Sequence, residues 1–123
     1  MSKPFLIAII DDDEAIRVAT ASLLRSFGYD TRVFASAEEF LDSGAEREAA
    51  CLLTDVQMPG IGGIELQRLL AERSCPFPVV LMTAFGGSDL RHRALAAGAF
   101  RVLDKPFDGE TIFQCLREAL LGN

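Results

Sequence analysis

Cys51-Leu52-Leu53-Thr54-Asp55-Val56-Gln57-Met58-Pro59-Gly60 is the stretch that decides the fold. An apolar run leads straight into a carboxylate, and a proline and glycines then turn the chain aside. The run reads as a strand covered on both faces. Asp55 then sits at the carboxyl end of that strand, where open α/β sheets gather their reactive groups. Three further apolar runs end in the same way. Residues 5–10 lead into Asp11-Asp12-Asp13, residues 79–82 lead into Thr83, and Val102-Leu103 lead into Asp104-Lys105-Pro106.

Working outward, strand and helix alternate along the chain. After the strand at 5–10 comes a helix with Ile16, Ala19, Leu23, Leu24 and Phe27 on one stripe, stopped by Gly28. Residues 31–34 form a short, more polar strand suited to a sheet edge. Ser36-Ala37-Glu38-Glu39 is a capping box opening a second helix that turns Phe40 and Leu41 inward. The strand at 49–54 is followed by Gly62-Gly63 and a helix with Leu66, Leu69 and Leu70 on its apolar side. Pro76 and Pro78 frame the strand at 79–82. Ser88 or Asp89 caps the fourth helix and Gly98 ends it. A very short strand at 101–103 precedes a helix over 109–121 with Ile112, Phe113, Leu116 and Leu120 inward. Five such alternations predict an α/β fold, a (βα)5 doubly wound five-stranded parallel sheet in the flavodoxin-like order 2-1-3-4-5. That order brings the ends of strands one, three and four to one crevice.

The bulk numbers narrow the function. A chain of 123 residues suits a single domain spanning 1–123, and a half-hydrophobic composition supports a core without metal or disulfide staples. A formal charge of −6 argues against direct nucleic-acid binding, which needs a basic face. Cys51, Cys75 and Cys115 stand in no metal-ligand spacing and read as reduced thiols of a cytoplasmic protein, with Cys51 and Cys115 in the core and Cys75 in a loop. Only residues 1–4 precede the first apolar run, which is too short to span a membrane. Gly122-Asn123 follow the last helix directly.

Carboxylates packed together raise one another's pKa unless a cation neutralises them. Magnesium suits a site with one or two direct carboxylates plus water and phosphate oxygens, and manganese can substitute. Asp12 and Asp55 are the expected direct ligands, Asp11 acts through a water, and the backbone carbonyl of Gln57 supplies another oxygen. Asp12 or Asp13 also caps the first helix. Asp55 can attack a phosphoryl group to give an acyl phosphate. Lys105 brings a point charge on a long stem. Its bond to Pro106 can be cis, which would fix its direction. Thr83 can donate its hydroxyl to a phosphoryl oxygen.

Taken together, these residues resemble the receiver domains of two-component response regulators over the whole chain. Ile10-Asp11-Asp12-Asp13-Glu14 resembles the family's acidic signature, and Leu53-Thr54-Asp55-Val56-Gln57-Met58-Pro59-Gly60 its phosphoacceptor motif. Met82-Thr83-Ala84, Ala97-Gly98-Ala99 and Asp104-Lys105-Pro106-Phe107 resemble its later landmarks. The wording Ser36-Ala37-Glu38-Glu39-Phe40-Leu41 looks closest to the branch typified by the nitrogen-fixation regulator FixJ. The resemblance implies a sensor histidine kinase as phosphoryl donor, magnesium as cofactor and Asp55 as acceptor. It also implies a switched face on the fourth helix, fifth strand and fifth helix, used for partner binding or for a homodimer on phosphorylation. No enzymatic turnover is expected beyond self-catalysed phosphoryl uptake and hydrolysis.

Three positions depart from the family's pattern. Where relatives carry an aromatic three residues before the lysine, this chain has Val102, and its nearest aromatic, Phe100, is expected to face the other way. An aromatic toggle is therefore expected to be absent or muted. Phe85, two residues after Thr83, is expected to shield the phosphoryl group and slow its hydrolysis. Arg101, with Arg91, His92 and Arg93, could make the side of the fourth helix basic, but the simpler reading of a solvated charged face is preferred. Two rival functions remain. Asp11-x-Asp13 also resembles haloacid-dehalogenase-type phosphatases, with Asp11 as nucleophile, although the acidic motif such enzymes need after the lysine is not evident. A phosphorylation-independent interaction module on the same fold would dispense with Asp12, Asp55 or Lys105, and all three are present.

Overall fold

The computed structural model describes residues 4–121; residues 1–3 and 122–123, which flank the first strand and last helix, lie outside the described residues. Five parallel strands, β1 (Leu6–Ile10), β2 (Asp30–Phe34), β3 (Cys51–Asp55), β4 (Val79–Thr83) and β5 (Arg101–Asp104), pair in the order β2-β1-β3-β4-β5. Between them run α1 (Glu14–Ser26), α2 (Ala37–Ser43), α3 (Gly63–Glu72) and α4 (Ser88–Ala96), and α5 (Gly109–Leu121) closes the fold. This is the doubly wound order expected from the sequence. The strand order reverses at β1, so the β1–β3 junction is the switch point at which such sheets open a crevice.

The strand pleat sorts the core into two layers. Ala8, Ile10, Leu52, Leu81 and Val102 point to one face, where Phe34, Phe40, Leu66 and Leu70 cover them. Ile7, Ile9, Leu53, Val80, Met82 and Leu103 point to the other, under Leu24, Ile112, Cys115 and Leu116. Each fully buried Leu or Ile contributes about 1.5–3 kcal/mol. Alternate residues of β1, β3 and β4 thus serve opposite layers, which is why these strands read as unbroken apolar runs. β2 lies at an edge, with Arg32 and Val33 exposed.

Several local expectations are corrected. On α1 the buried residues are Thr20, Ala21 and Leu24, while Ile16 and Ala19 are exposed and Leu23 and Phe27 half-buried. The predicted stripe exists, but its upper end lines an open groove of about 470 Å³ shared with Pro106 and Phe107 rather than the core. α4 takes Gly87 as its N-cap, with no side-chain cap, in place of Ser88 or Asp89. β3 starts at Cys51, because Glu48 closes a 3-10 turn by donating its N–H to the Ala45 carbonyl at 3.0 Å, and the Ala49 N–H is held by the same carbonyl at 2.9 Å. Phe113 is half-buried and meets Phe27 edge-on, with ring centroids 5.0 Å apart. The cap of α2 follows expectation in part. Ser36 Oγ accepts from Glu39 N at 3.1 Å, but Glu39 reaches back to the Ala35 N–H, one residue earlier than in a capping box. Cys51 and Cys115 are buried and Cys75 is half-buried.

Candidate functional site

Three strand ends build the pocket. Asp11 follows β1 and is 1 % exposed. Its N–H donates to the Phe34 carbonyl, its Oδ1 accepts from Asp13 N at 2.9 Å, and its own carbonyl accepts from Arg17 Nη1 at 2.8 Å. Asp13 is the residue that caps α1, accepting from Ile16 N at 3.1 Å. Asp12 is thereby left exposed at the mouth. Asp55 ends β3, and the chain beyond it stays tied to the sheet through Val56 N to the Met82 carbonyl. Gly63 lets α3 begin hard against this strand end: a Cβ there would lie 2.4 Å from the Asp55 carbonyl oxygen.

Lys105 is 94 residues from Asp11, and strand order alone brings them together. Its backbone N–H donates to the Thr83 carbonyl at 2.7 Å. Its ammonium donates to Asp11 Oδ2 at 2.8 Å and to Asp55 Oδ2 at 3.3 Å. The Lys105–Pro106 peptide is cis. Thr83 is 1 % exposed, and its hydroxyl oxygen accepts from Phe85 N at 3.1 Å. Of the sequence-derived candidates, Asp11, Asp12, Asp55 and Lys105 converge side by side, and Thr83 borders them through the Lys105 backbone. Gln57 is exposed, with its backbone N–H directed at the Asp55 carboxylate.

Burial pushes the Asp55 carboxyl above its ordinary range; Lys105 opposes this, Asp11 adds to it, and the Gln57 N–H opposes it. Burial by itself would lower the Lys105 pKa, but the hydrogen bond to Asp11 and the charges of Asp55 and Asp11 outweigh it and hold the ammonium above its usual value. Carboxylate oxygens of Asp11, Asp12 and Asp55 lie within 4.8 Å of one another. This all-oxygen, multiply anionic donor set fits a hard divalent cation.

The departures resolve as follows. Val102 is 4 % exposed and packs on the layer with Leu66 and Leu70, whereas Phe100 packs on the opposite layer. Residues two apart share a face in a regular strand, so the opposite facing arises because Phe100 precedes β5. Phe85 is 78 % exposed, so its ring gives little cover to any group at Asp55 in this conformation. Arg101 pairs with Glu118 at 2.6 Å and lies over the Phe100 ring, and Arg91 pairs with Asp104. The side of α4 is therefore less basic than its sequence suggests. Sequence reasoning missed the support Arg17 gives to Asp11. Its position four residues after Asp13, on the first turn of α1, was the available signal.

Fold and site define the class: an open, doubly wound α/β domain with an acidic pocket at its switch point and an ammonium set into it. Residues 7–117 match the response regulator receiver domain, and the chain belongs to that family, the receivers of two-component signalling. It is 39% identical over 120 residues to the transcriptional regulatory protein FixJ of Azorhizobium caulinodans, covering 98% of this chain and 57% of that one. Among solved structures it is similar to FixJ-N, with a TM-score of 0.87 at 28% identity over 99% of this chain and 98% of the other. A beryllofluoride-activated NtrC4 receiver domain dimer gives a TM-score of 0.88 at 25% identity over 95% and 97% of the two chains. The chain spans little more than half the length of the curated relatives it matches.

Proposed function

We propose that residues 1–123 form a single receiver domain that accepts a phosphoryl group on Asp55 from a sensor histidine kinase. The observation that carries the reading is the Lys105 ammonium seated between Asp11 and Asp55, beside the exposed Asp12. A carboxylate oxygen of Asp55 attacks phosphorus, the bond from phosphorus to the donor's imidazole nitrogen breaks, and that nitrogen keeps the electron pair. Asp55 becomes an acyl phosphate. Asp12, Asp55 and the Gln57 carbonyl would hold magnesium, with Asp11 acting through a water; manganese offers the same preference for oxygen ligands. When bound, the metal neutralises charge between the carboxylate and the phosphoryl oxygens.

Lys105 then has a second anion within reach of its stem. Thr83 would turn its hydroxyl from the Phe85 N–H toward a phosphoryl oxygen, and the segment after Thr83 would follow. The apolar groove lined by Ile16, Ala19, Leu23 and Phe107 reaches Lys105, which suits docking of the donor beside the acceptor. The output would be partner binding or a homodimer on the α4–β5–α5 face; the NtrC4 receiver dimer supports dimerisation as such. Self-catalysed uptake and hydrolysis of the phosphoryl group would be the only turnover, in the cytoplasm. No described helix is long and apolar enough to cross a membrane.

Asp11 is poorly placed as the nucleophile of a phosphatase, since its oxygens are taken by Lys105 and the Asp13 amide and it is 1 % exposed. The test is to treat the chain with acetyl phosphate and magnesium, trap the acyl phosphate with borohydride, and locate the reduced residue by peptide mass spectrometry. Reduction at Asp55 supports the reading. Reduction at Asp11, or at neither, contradicts it.

A further inference from the structure

Thr83 has a second neighbour besides Lys105. Asp104 stands opposite it in the β4–β5 register, and the two side chains meet at Gly86, where a Cβ would lie 2.5 Å from Asp104 Oδ1 and 2.9 Å from Thr83 Cγ2. The other carboxylate oxygen of Asp104 accepts from Arg91 Nη2, while Arg91 Nη1 donates to the Val102 carbonyl at 2.9 Å. A guanidinium on α4 thus grips the outer edge of β5 at two points. Thr83, Gly86, Asp104 and Arg91 are thus successive neighbours.

α4 has a small apolar anchor on the core. Ala94 is its buried residue, with Leu90 half-buried behind it. At its far end, Gln67 Nε2 reaches the Ala97 carbonyl at only 3.4 Å and leaves its own buried Oε1 without a protein partner. A helix with so small an apolar anchor is positioned largely by its polar contacts. Val102, buried and β-branched, offers no ring to swing as Thr83 moves.

We infer that Arg91, acting through Asp104, is a positioning residue that couples Thr83 to α4 and holds the unphosphorylated arrangement. The inference rests on Asp55 being the phosphoacceptor. As Thr83 turns toward a phosphoryl group, its methyl shifts against Gly86, the loop at 84–87 moves with it, Asp104 loses its seat, and α4 is freed from β5. Breaking the grip by mutation shifts the population toward the switched arrangement before any phosphoryl group arrives.

Two readouts on the whole chain test this: hydrogen exchange in peptides covering 84–96, and the rate of phosphoryl uptake from acetyl phosphate. The variants are Arg91→Gln, Asp104→Asn, their double, and Arg91→Lys, which keeps the charge but lacks the planar fork that spans the Val102 carbonyl and Asp104. Both single variants are expected to speed exchange over 84–96 about fivefold and to raise the uptake rate by a similar factor. The double variant should add nothing beyond either, and Arg91→Lys should fall between. Exchange in α2 serves as the control and should not change. Beryllofluoride with magnesium should speed α4 exchange in the wild type and add little in the variants. Faster exchange with unchanged or slower uptake would reduce Arg91 to a local brace and overturn the inference, as would additive single variants. If the wild type takes up no phosphoryl group, the receiver reading fails on its own account. The coupling is then judged by exchange at 84–87, and no change there in Arg91→Gln overturns it.

Discussion

Replacing Asp55 by Asn should make the metal-free domain more stable. At an effective dielectric of about 20, carboxylate oxygens within 4.8 Å of one another repel by at least about 3.5 kcal/mol, while an ammonium 3.3 Å away attracts by about 5 kcal/mol. Asp12 is exposed, so its repulsion of Asp55 is screened but not abolished. Attraction and repulsion nearly cancel, and burial of the Asp55 anion decides the sign. The same burial is the leading cause of its raised pKa. Lys105 keeps Asp11 as a partner at 2.8 Å when Asp55 is neutralised, so no charge is orphaned. The expected gain at neutral pH is about 1 kcal/mol, or a Tm rise of about 3–6 °C for a domain of this size. Magnesium at ten times its Kd should stabilise the wild type by about 1.4 kcal/mol and Asp55→Asn by less, narrowing or reversing the difference. The pH dependence follows from the sign of the shift. A raised folded-state pKa means the native protein takes up a proton at Asp55 before the unfolded chain does as pH falls. The advantage of Asn is therefore present above that raised pKa and is gone below the ordinary carboxylate value of about 4. Thermal melts of both proteins with magnesium and with chelator, from neutral pH downward, measure all of this. A lower Tm for Asp55→Asn in chelator, or equal stabilisation of both proteins by magnesium, would refute the reasoning.

Other expectations are simpler to check. Lys105→Ala leaves Asp11 and Asp55 without their ammonium and should cost about 2 kcal/mol in a chemical melt, part of it recovered by magnesium. A fully stable variant would mean the ion pairs contribute nothing. Gly63→Ala drives a methyl into the Asp55 carbonyl and should destabilise by about 1–3 kcal/mol, read from the urea midpoint. Burial pushes the Cys51 thiol up to about 12, and Cys115 is buried beside it. In the native protein a thiol reagent at mildly alkaline pH should therefore label Cys75 first, with all three reacting only in denaturant.

What the sequence could disclose follows from the range over which each signal acts. Asp55, Asp11 and Lys105 were legible because buried parallel strands are unbroken apolar runs, so a polar residue after such a run marks a strand end. Strand order then does the long-range work of bringing Lys105 to Asp11. The stripe on α1 was legible as a stripe, but periodicity does not say what covers it, and Ile16 and Ala19 face a groove instead of the core. The cap of α4 escaped notice because Gly87 acts through its backbone. The grip of Arg91 on Asp104 and the pair of Arg101 with Glu118 depend on how α4 and α5 sit on β5, which no local pattern encodes. Phe85 reads as a shield in sequence and stands in solvent in the structure, since the loop carrying it turns outward after donating to the Thr83 hydroxyl.

The most direct test of the central claim is intact-mass spectrometry after incubation with acetyl phosphate, run with magnesium and with chelator. The account predicts the mass of one added phosphoryl group on the wild type with magnesium, little with chelator, and none on Asp55→Asn under either condition. Equal labelling of Asp55→Asn, or labelling of the wild type that ignores magnesium, would contradict it.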